Sequence, residues 1–234
     1  MNPALLQQIA IYAIPVIIAI TLHEAAHGFV ARHFGDPTAA NLGRVTLNPL
    51  KHIDLFGTIL LPAVLLLSQT GFIFGYAKPV PVKFSNLRNP KRDMIWVAAA
   101  GPAMNVALAL VSALGLVVAL LLHAALNSWA VAGLIFSVQI NLVLAILNLM
   151  PLPPLDGGRV VTGLLPMRLA IPYAKLERFG MLILIALLVL LPFAGERLGM
   201  NLDLFGRLIG GPAQYLTRGL LVACAAAAHF LVAL

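Results

Sequence analysis

Charged side chains are scarce in this chain of 234 residues, and most of those present are positive. Only 10% of the residues are charged, whereas 61% are hydrophobic and the mean hydropathy is +0.99. A soluble globular protein carries about 25% charged residues. Apolar runs that approach or exceed the roughly 20 residues needed to cross a bilayer recur along the chain. The sequence therefore predicts an all-α polytopic membrane protein.

Cysteine is also nearly absent, since Cys224 is the single one in the chain. One cysteine excludes an internal disulfide framework and a metal site built from several thiolates. Any metal ion would therefore need His and carboxylate ligands. Internal repeats and low-complexity linkers are absent too, so we expect one domain over residues 1–234.

The apolar runs predict the spans. The first run lacks a basic start and a small-residue cleavage site, so we interpret it as a retained span rather than a removable signal peptide. We expect spans at about Pro3–Arg32, Pro90–Leu122 and Ala130–Met150, and shorter apolar helices at Gly180–Gly195 and Gly219–Leu234.

The basic residues predict the orientation. Twelve of the 15 Lys and Arg fall in three groups, within residues 32–51, 78–92 and 159–178. Basic loops mark the cytoplasmic side, which explains the net charge of +7 without a nucleic-acid partner. If all three groups are cytoplasmic, the apolar segment Leu55–Phe74 must be re-entrant; as a full span it would place five basic residues on the opposite side. We expect a multi-pass membrane protein.

The stretch "HEAAH" places ionisable residues inside the first span. His23 and His27 are four residues apart, so on a helix they share a face and can bind one metal ion, while Glu24 lies close enough to act as a general base. Composition alone predicts roughly 0.002 occurrences of this pattern. Ionisable residues within a span are costly and mark functional interiors. The pattern therefore predicts a metal site at His23 and His27, with Glu24 as a catalytic residue.

A third ligand is expected from "NLMPLPPLDGGR", Asn148–Arg159. Its three prolines prevent a regular helix, and Gly157-Gly158 permits a tight turn after Asp156. At membrane depth, irregular backbone must be buried in protein or line a cavity, which favours Asp156 as the ligand over a simple helix exit. The other acidic residues are expected to be solvated.

Two asparagine-bearing stretches should surround the site. "AGPAMN", which ends at Asn105, has small residues that allow close helix approach. Asn141 and Asn148 are seven residues apart and share a helix face. Helix–helix hydrogen bonding could explain all three amides, but Asn148 adjoins the unwound turn and is the better candidate to donate to substrate or to a developing oxyanion.

Together, "HEAAH", "AGPAMN" and "NLMPLPPLDGG" resemble the motifs of the site-2 protease family of intramembrane zinc metalloproteases, in its compact bacterial form without PDZ or CBS domains. The resemblance covers residues 10–178. It implies one Zn²⁺ per chain held by His23, His27 and Asp156, with Glu24 activating water and Asn148 assisting. It also implies a three-helix catalytic core within about 1–178, followed by one or two C-terminal helices within about 179–234.

The expected reaction is hydrolysis of a peptide bond in or near the transmembrane segment of another protein, as in regulated intramembrane proteolysis. Two short β-like segments, Arg44–Asn48 and Gly75–Val82, could add a strand to unwound substrate or could only close the cavity against lipid. A metal-binding transporter or channel and a catalytically inactive protease-like binding protein remain alternatives. The expected partners are a transmembrane substrate and the bilayer; the oligomeric state stays open.

Overall fold

The computed structural model describes residues 3–60, 64, 77–122 and 128–232. Within these residues the chain is mostly helical and has no β-strand, which confirms the predicted all-α polytopic class. The α-helices are α1 (Pro3–His33), α2 (Thr38–Asn41), α3 (Pro90–Leu121), α4 (Ser128–Leu149), α5 (Asp156–Leu164), α6 (Met167–Ala174), α7 (Glu177–Ile185), α8 (Leu191–Arg197) and α9 (Gly211–Val232).

Three helices, α1, α3 and α4, are long and apolar enough to cross a membrane. Their ends agree with the predicted spans to within two residues. Helix α3 begins at Pro90, whose fixed φ suits a first helical position. The backbone N–H of Asn89 donates to Asp93 Oδ2 over 2.7 Å. The long apolar runs were therefore sufficient to locate these helices.

The three spans pack through small side chains. Ala19 of α1, Ala109 of α3 and Ala145 of α4 are almost completely buried, and small residues of this kind let helix backbones approach closely within a membrane. Helix α9 joins this core, because Cys224 lies in the same apolar cluster and its thiol donates to the Ala113 carbonyl over 3.2 Å. On its outer face α3 leaves Val111 and other apolar side chains exposed, as expected for contact with lipid.

The C-terminal part forms two helical rods, in agreement with the one or two helices predicted. In the first rod, α7 continues through the π-helical turn Ala186–Leu190 into α8. In the second, the π-helical turn Gly206–Gly210 leads into α9. Helix α7 touches the centre of the protein at Gly180, where a Cβ atom would collide with the backbone of Pro153.

Neither β-like segment forms a strand in the parts that the structure describes. Pro79 and Pro81 lack the N–H groups that a ladder requires. The polar backbone groups find other partners: the Lys78 carbonyl accepts from Arg44 Nη2 over 2.7 Å, and the Lys78 amide donates to the His52 carbonyl over 2.9 Å. The predicted β-like character is therefore corrected to extended coil. Within Leu55–Phe74 the structure describes the π-helical stretch Leu55–Leu60 and residue 64. The predicted re-entrant course of this segment lies outside the described residues.

Two acidic residues that were expected to be solvated are buried. Asp93 is 4% exposed and Asp36 is fully buried. Burial alone would raise the pKa of Asp36, but hydrogen bonds from Thr38, from the Asn86 amide group and from the Lys83 backbone N–H outweigh it and hold the pKa below its usual value. The sequence did not indicate this because two of the donors, Lys83 and Asn86, come from a distant segment. Asp36 thereby ties the end of α1 to the chain that precedes α3.

Candidate metal centre and active site

Three side chains that are far apart in the sequence converge on one point. Nε2 of His23 and Nε2 of His27 lie 3.1 Å apart, and Asp156 Oδ2 lies 3.2 Å from the first and 3.3 Å from the second. The histidines come from successive turns of α1, and the aspartate is the first residue of α5. All three are buried. Among the His, Cys, Asp and Glu side chains that the structure describes, these three have ligand atoms close enough to share one metal ion.

The outer nitrogens of both imidazoles are already engaged. His23 Nδ1 lies 2.6 Å from Asn105 Oδ1, and His27 Nδ1 lies 2.7 Å from the Val97 carbonyl oxygen. The Asn105 amide nitrogen donates to Asn141 Oδ1 over 2.8 Å, which orients its oxygen toward His23. Both Nδ1 atoms therefore carry the proton, and both Nε2 atoms present lone pairs to the cluster.

The cluster consequently brings three acceptors together. Asp156 Oδ2 is buried without a hydrogen-bond donor, and the two atoms nearest to it in the cluster are unprotonated nitrogens. A bound cation would satisfy all three at once. Zinc bonds of 2.0–2.1 Å in tetrahedral geometry require ligand atoms about 3.3 Å apart, close to the three separations observed. The residues therefore fit a zinc ion.

Gly101 of α3 makes room for the cluster. A Cβ atom at this position would overlap the imidazole rings of both His23 and His27. The rings cannot move aside without breaking their bonds to Asn105 and Val97. The small residue that the sequence suggested for helix approach thus has a more specific role, since it lets α3 pass directly behind the two histidines.

The unwound turn after α4 places Asp156. The chain leaves α4 at Leu149, passes through a cis peptide bond between Pro153 and Pro154, and begins α5. The turn is tight enough that a Cβ atom on Gly157 would strike the Leu149 carbonyl, and Tyr173 of α6 donates its hydroxyl to the Pro151 carbonyl over 2.8 Å. The glycine and the hydroxyl together hold Asp156 opposite α1.

Glu24 lies beside the cluster on α1 and lines the same cavity. Its Oε2 atom accepts a hydrogen bond of 2.7 Å from the backbone N–H of Val80. The carboxylate has a second oxygen, so one oxygen is held by the protein while the other remains to accept a proton.

Asn148 also lines the cavity, but its amide nitrogen donates to the Leu144 carbonyl of its own helix over 3.0 Å. An amide nitrogen has two hydrogens, so a second donor remains for a ligand. The structure thus places Asn148 at the cavity wall and outside the metal cluster. Its predicted role in oxyanion binding stays a prediction.

The cavity that holds these residues has a volume of about 390 Å³. Its walls come from α1, the extended segment before α3, and helices α3, α4, α5 and α7, and most lining residues are apolar. Arg159 is the one Lys or Arg among the described lining residues; it donates to Glu177 over 2.9 Å and its guanidinium lies 5.7 Å from the ring centroid of Phe84. Apart from the cluster, Glu24, Asn148 and Arg159, the described lining of the cavity is therefore apolar.

Sequence reasoning did not assign the groups that orient the cluster. Asn105 was noted as a possible helix–helix contact, yet it accepts directly from His23. The carbonyl of Val97 and the amide of Val80 are backbone groups, which a side-chain pattern does not single out. The useful signal was an asparagine buried in an apolar span, because such an amide needs partners.

The fold and the site define a class of protein: an α-helical membrane protein whose spans enclose a His-His-carboxylate cluster next to a glutamate. Its sequence matches the family model of peptidase family M50 over residues 11–129 and 115–191. The chain therefore belongs to peptidase family M50, the site-2 protease family, whose members are zinc metalloproteases. The resemblance found in the motifs is thus confirmed.

Two curated relatives show how far the likeness extends. "Putative zinc metalloprotease YwhC" of Bacillus subtilis is 40% identical over 183 residues, which are 75% of this chain and 78% of the relative. "Putative zinc metalloprotease Rip2" of Mycolicibacterium smegmatis is 32% identical over 174 residues, or 74% of this chain and 64% of the relative. No solved structure matches the chain.

Proposed function

We propose that the protein is a zinc-dependent intramembrane endopeptidase that hydrolyses peptide bonds in or near transmembrane segments of other membrane proteins. The observation that carries the proposal is the triangle of His23 Nε2, His27 Nε2 and Asp156 Oδ2, with sides of 3.1, 3.2 and 3.3 Å. Three protein ligands with an open fourth position are typical of catalytic zinc, whereas structural zinc usually has four.

Each residue of the site has a proposed role. His23, His27 and Asp156 hold one Zn²⁺, which when bound would act as a Lewis acid and lower the pKa of water. Glu24 takes a proton from the attacking water and passes it to the leaving nitrogen. The second proton of the water follows to the same nitrogen, so the peptide bond and one water become a carboxylate and an ammonium group. Asn148 donates its second amide hydrogen to the substrate carbonyl as negative charge develops there.

The size of the cavity supports local unwinding of the substrate. A helix with side chains is at least about 10 Å wide, so 390 Å³ is close to the volume of a single helical turn. A peptide bond inside a helix is also shielded by its own backbone hydrogen bonds. A substrate would therefore enter as a short extended stretch, with its apolar side chains against the apolar cavity wall.

The extended segment over residues 77–82 favours the role of a cover rather than that of a β-strand partner for substrate. Pro79 and Pro81 leave one edge of it without N–H donors. The donors of the other edge at Lys78 and Val80 are already bonded within the protein. In the described structure the segment therefore closes one side of the cavity.

The proposal includes a location. The groups of basic residues indicate that the ends of α1 and α4 near the cluster face the cytoplasm, so cleavage would occur in the cytoplasmic half of a bacterial cell membrane and release a cytosolic fragment. Regulated intramembrane proteolysis of a transmembrane partner protein would proceed in this way. We also propose that residues 1–234 act as a single metalloprotease domain.

The test uses purified protein in detergent micelles and a tagged single-span substrate whose apolar segment is interrupted by an Asn-Gly pair. Wild type should contain one zinc per chain and cleave the substrate. Glu24→Gln should keep its zinc and lose cleavage, because the variant lacks only the base. Asp156→Asn should lose zinc and cleavage together, because an amide oxygen is a poorer ligand than a carboxylate.

The same measurement separates the alternatives. Cleavage by both wild type and Glu24→Gln would refute the role of the base. Zinc binding without cleavage in any protein would favour a binding protein. Metal flux into liposomes that requires His23, with no cleavage, would favour a transporter.

A further inference from the structure

One backbone amide reaches into the site from outside the spans. The N–H of Val80 donates to Glu24 Oε2 over 2.7 Å, and Val80 itself is 7% exposed. Among the described residues, the Val80 N–H is the donor that the structure places on the carboxylate of Glu24. The proposed base therefore has a fixed partner that belongs to neither the metal ligands nor the substrate.

The sequence around this amide isolates it. Val80 stands between Pro79 and Pro81, and proline has no backbone N–H. The Val80 amide is therefore the only donor in this three-residue stretch, so the contact with Glu24 cannot shift to a neighbouring amide. The prolines also restrict the backbone on both sides, which limits the directions that the N–H can take.

The segment that carries Val80 is held at both ends. The Lys78 amide donates to the His52 carbonyl over 2.9 Å, and the Lys83 amide donates to Asp36 Oδ2 over 2.7 Å. Between these bonds the segment lies against α1 at Gly28, one turn beyond Glu24. A Cβ atom at Gly28 would be 3.3 Å from Val80 Cγ1 and 2.8 Å from Val45 Cγ2, so the missing side chain permits this approach.

We propose that Val80 is a positioning residue for catalysis: its N–H holds Oε2 of Glu24 so that the other carboxylate oxygen faces the reacting water. The inference deepens the proposed function and rests on it. A carboxylate on a flexible side chain has several rotamers, and fixing one oxygen selects the rotamer in which the second points into the cavity. The bond also leaves the metal ligands untouched, so its loss should affect the proton transfer and not zinc binding.

The first test needs no activity. The Val80 amide is the only exchangeable backbone amide between Pro79 and Pro81, so hydrogen exchange followed by mass spectrometry of peptides that overlap there reports on it directly. In wild type the amide should exchange slowly. Glu24→Ala removes the acceptor and should speed its exchange by at least about tenfold, whereas Glu24→Gln keeps a carbonyl acceptor and should change it less. Equal exchange in wild type and Glu24→Ala would overturn the inference, whether or not the protein cleaves any substrate.

The second test separates the backbone from the side chain. Val80→Pro removes the N–H and keeps an apolar side chain, whereas Val80→Ala keeps the N–H and removes most of the packing. With the tagged single-span substrate, Val80→Pro should lower kcat by about 10- to 100-fold, as is usual for partners that orient a metal-site residue. KM and zinc content should stay near wild type. Val80→Ala keeps the N–H, so its fold-loss of kcat should be at least about tenfold smaller than that of Val80→Pro.

Val82→Pro serves as the comparison for introducing a proline, because the structure gives the Val82 amide no hydrogen bond. The fold-decrease of kcat should be at least about tenfold smaller in Val82→Pro than in Val80→Pro. Equal losses in the two proline variants, an equal loss in Val80→Ala, or a rise of kcat in Val80→Pro would each refute a positioning role. Failure of wild type to cleave would instead contradict the proposed function, and the exchange measurement would still decide the contact.

Discussion

Asn105 provides the sharpest test of how the protein orients its metal ligands. Its Oδ1 atom lies 2.6 Å from His23 Nδ1, and its amide nitrogen donates to Asn141 Oδ1 over 2.8 Å. The side chain is fully buried. Asn105→Leu has a similar size but offers neither donor nor acceptor, so it leaves His23 Nδ1 and Asn141 Oδ1 without these partners.

The size of the effect follows from three lost bonds, because the Asn105 amide nitrogen also donates to the Ala19 carbonyl over 3.4 Å. Hydrogen bonds between helices in a membrane contribute about 0.6–2 kcal/mol each, so Asn105→Leu should lower the free energy of unfolding by about 2–6 kcal/mol. Loss of the partner that orients a ligating histidine typically weakens metal binding by about 10- to 100-fold. Zinc affinity is measured by competition with a chelator, and stability by the helical signal during titration with SDS.

Two further variants separate orientation of His23 from general packing. Asn105→Asp keeps an acceptor for the His23 N–H and loses the donor to Asn141, so it should keep zinc affinity although it is less stable. Asn141→Leu removes the bond to Asn105 and the bond to the Ser137 carbonyl but leaves Asn105 itself in contact with His23. It should likewise lower stability, with zinc affinity close to wild type. If Asn105→Leu binds zinc as tightly as wild type, the structure does not explain how His23 is oriented.

The remaining predictions concern the space that Gly101 leaves for the cluster, the charge of Asp36 and the orientation of the protein in the membrane. Gly101→Ala should reduce zinc affinity because its Cβ would overlap both imidazoles. Gly115→Ala is the control, since its Cβ would meet only Leu134 at 3.3 Å and should leave zinc affinity unchanged. Competition with a chelator measures both affinities. Asp36→Asn should be less stable at neutral pH. Since the folded-state pKa of Asp36 lies below 3.8, its contribution is present above that pH and disappears in stronger acid, where unfolding curves of the two proteins should converge. Arg88→Cys in a Cys224→Ala background should react with an impermeant maleimide only from the cytoplasmic side. Labelling from the outside would contradict the proposed orientation.

The sequence allowed the spans and the candidate metal ligands to be identified for different reasons. Helices α1, α3 and α4 were found because long apolar runs are local features of the sequence. His23 and His27 were linked by helix periodicity alone. Asp156 was reached by exclusion, because few acidic residues exist and only this one follows a proline-rich turn at membrane depth.

The groups that orient the site could not be predicted in the same way. The bond from Asn105 to His23 depends on how α3 is rotated against α1, and the apolar surfaces of both helices are too uniform to determine this rotation. The contact of Val80 with Glu24 joins residues 56 apart through a loop. The β-like prediction for Gly75–Val82 is wrong in the part that the structure describes, because Pro79 and Pro81 lack the amides that a β-ladder requires.

The chain of buried polar groups behind His23 has a consequence for biosynthesis. It runs from Asn105 of α3 to Asn141 of α4, and from there to the Ser137 carbonyl over 2.9 Å. His23 therefore has its full chain of polar partners only when the third span is in place, and Asp156 leaves the ribosome later still. On the proposed function, a nascent chain whose early spans are already inserted lacks one of its three candidate metal ligands. It would therefore be inert toward its own unassembled helices and toward its neighbours until its folding is complete.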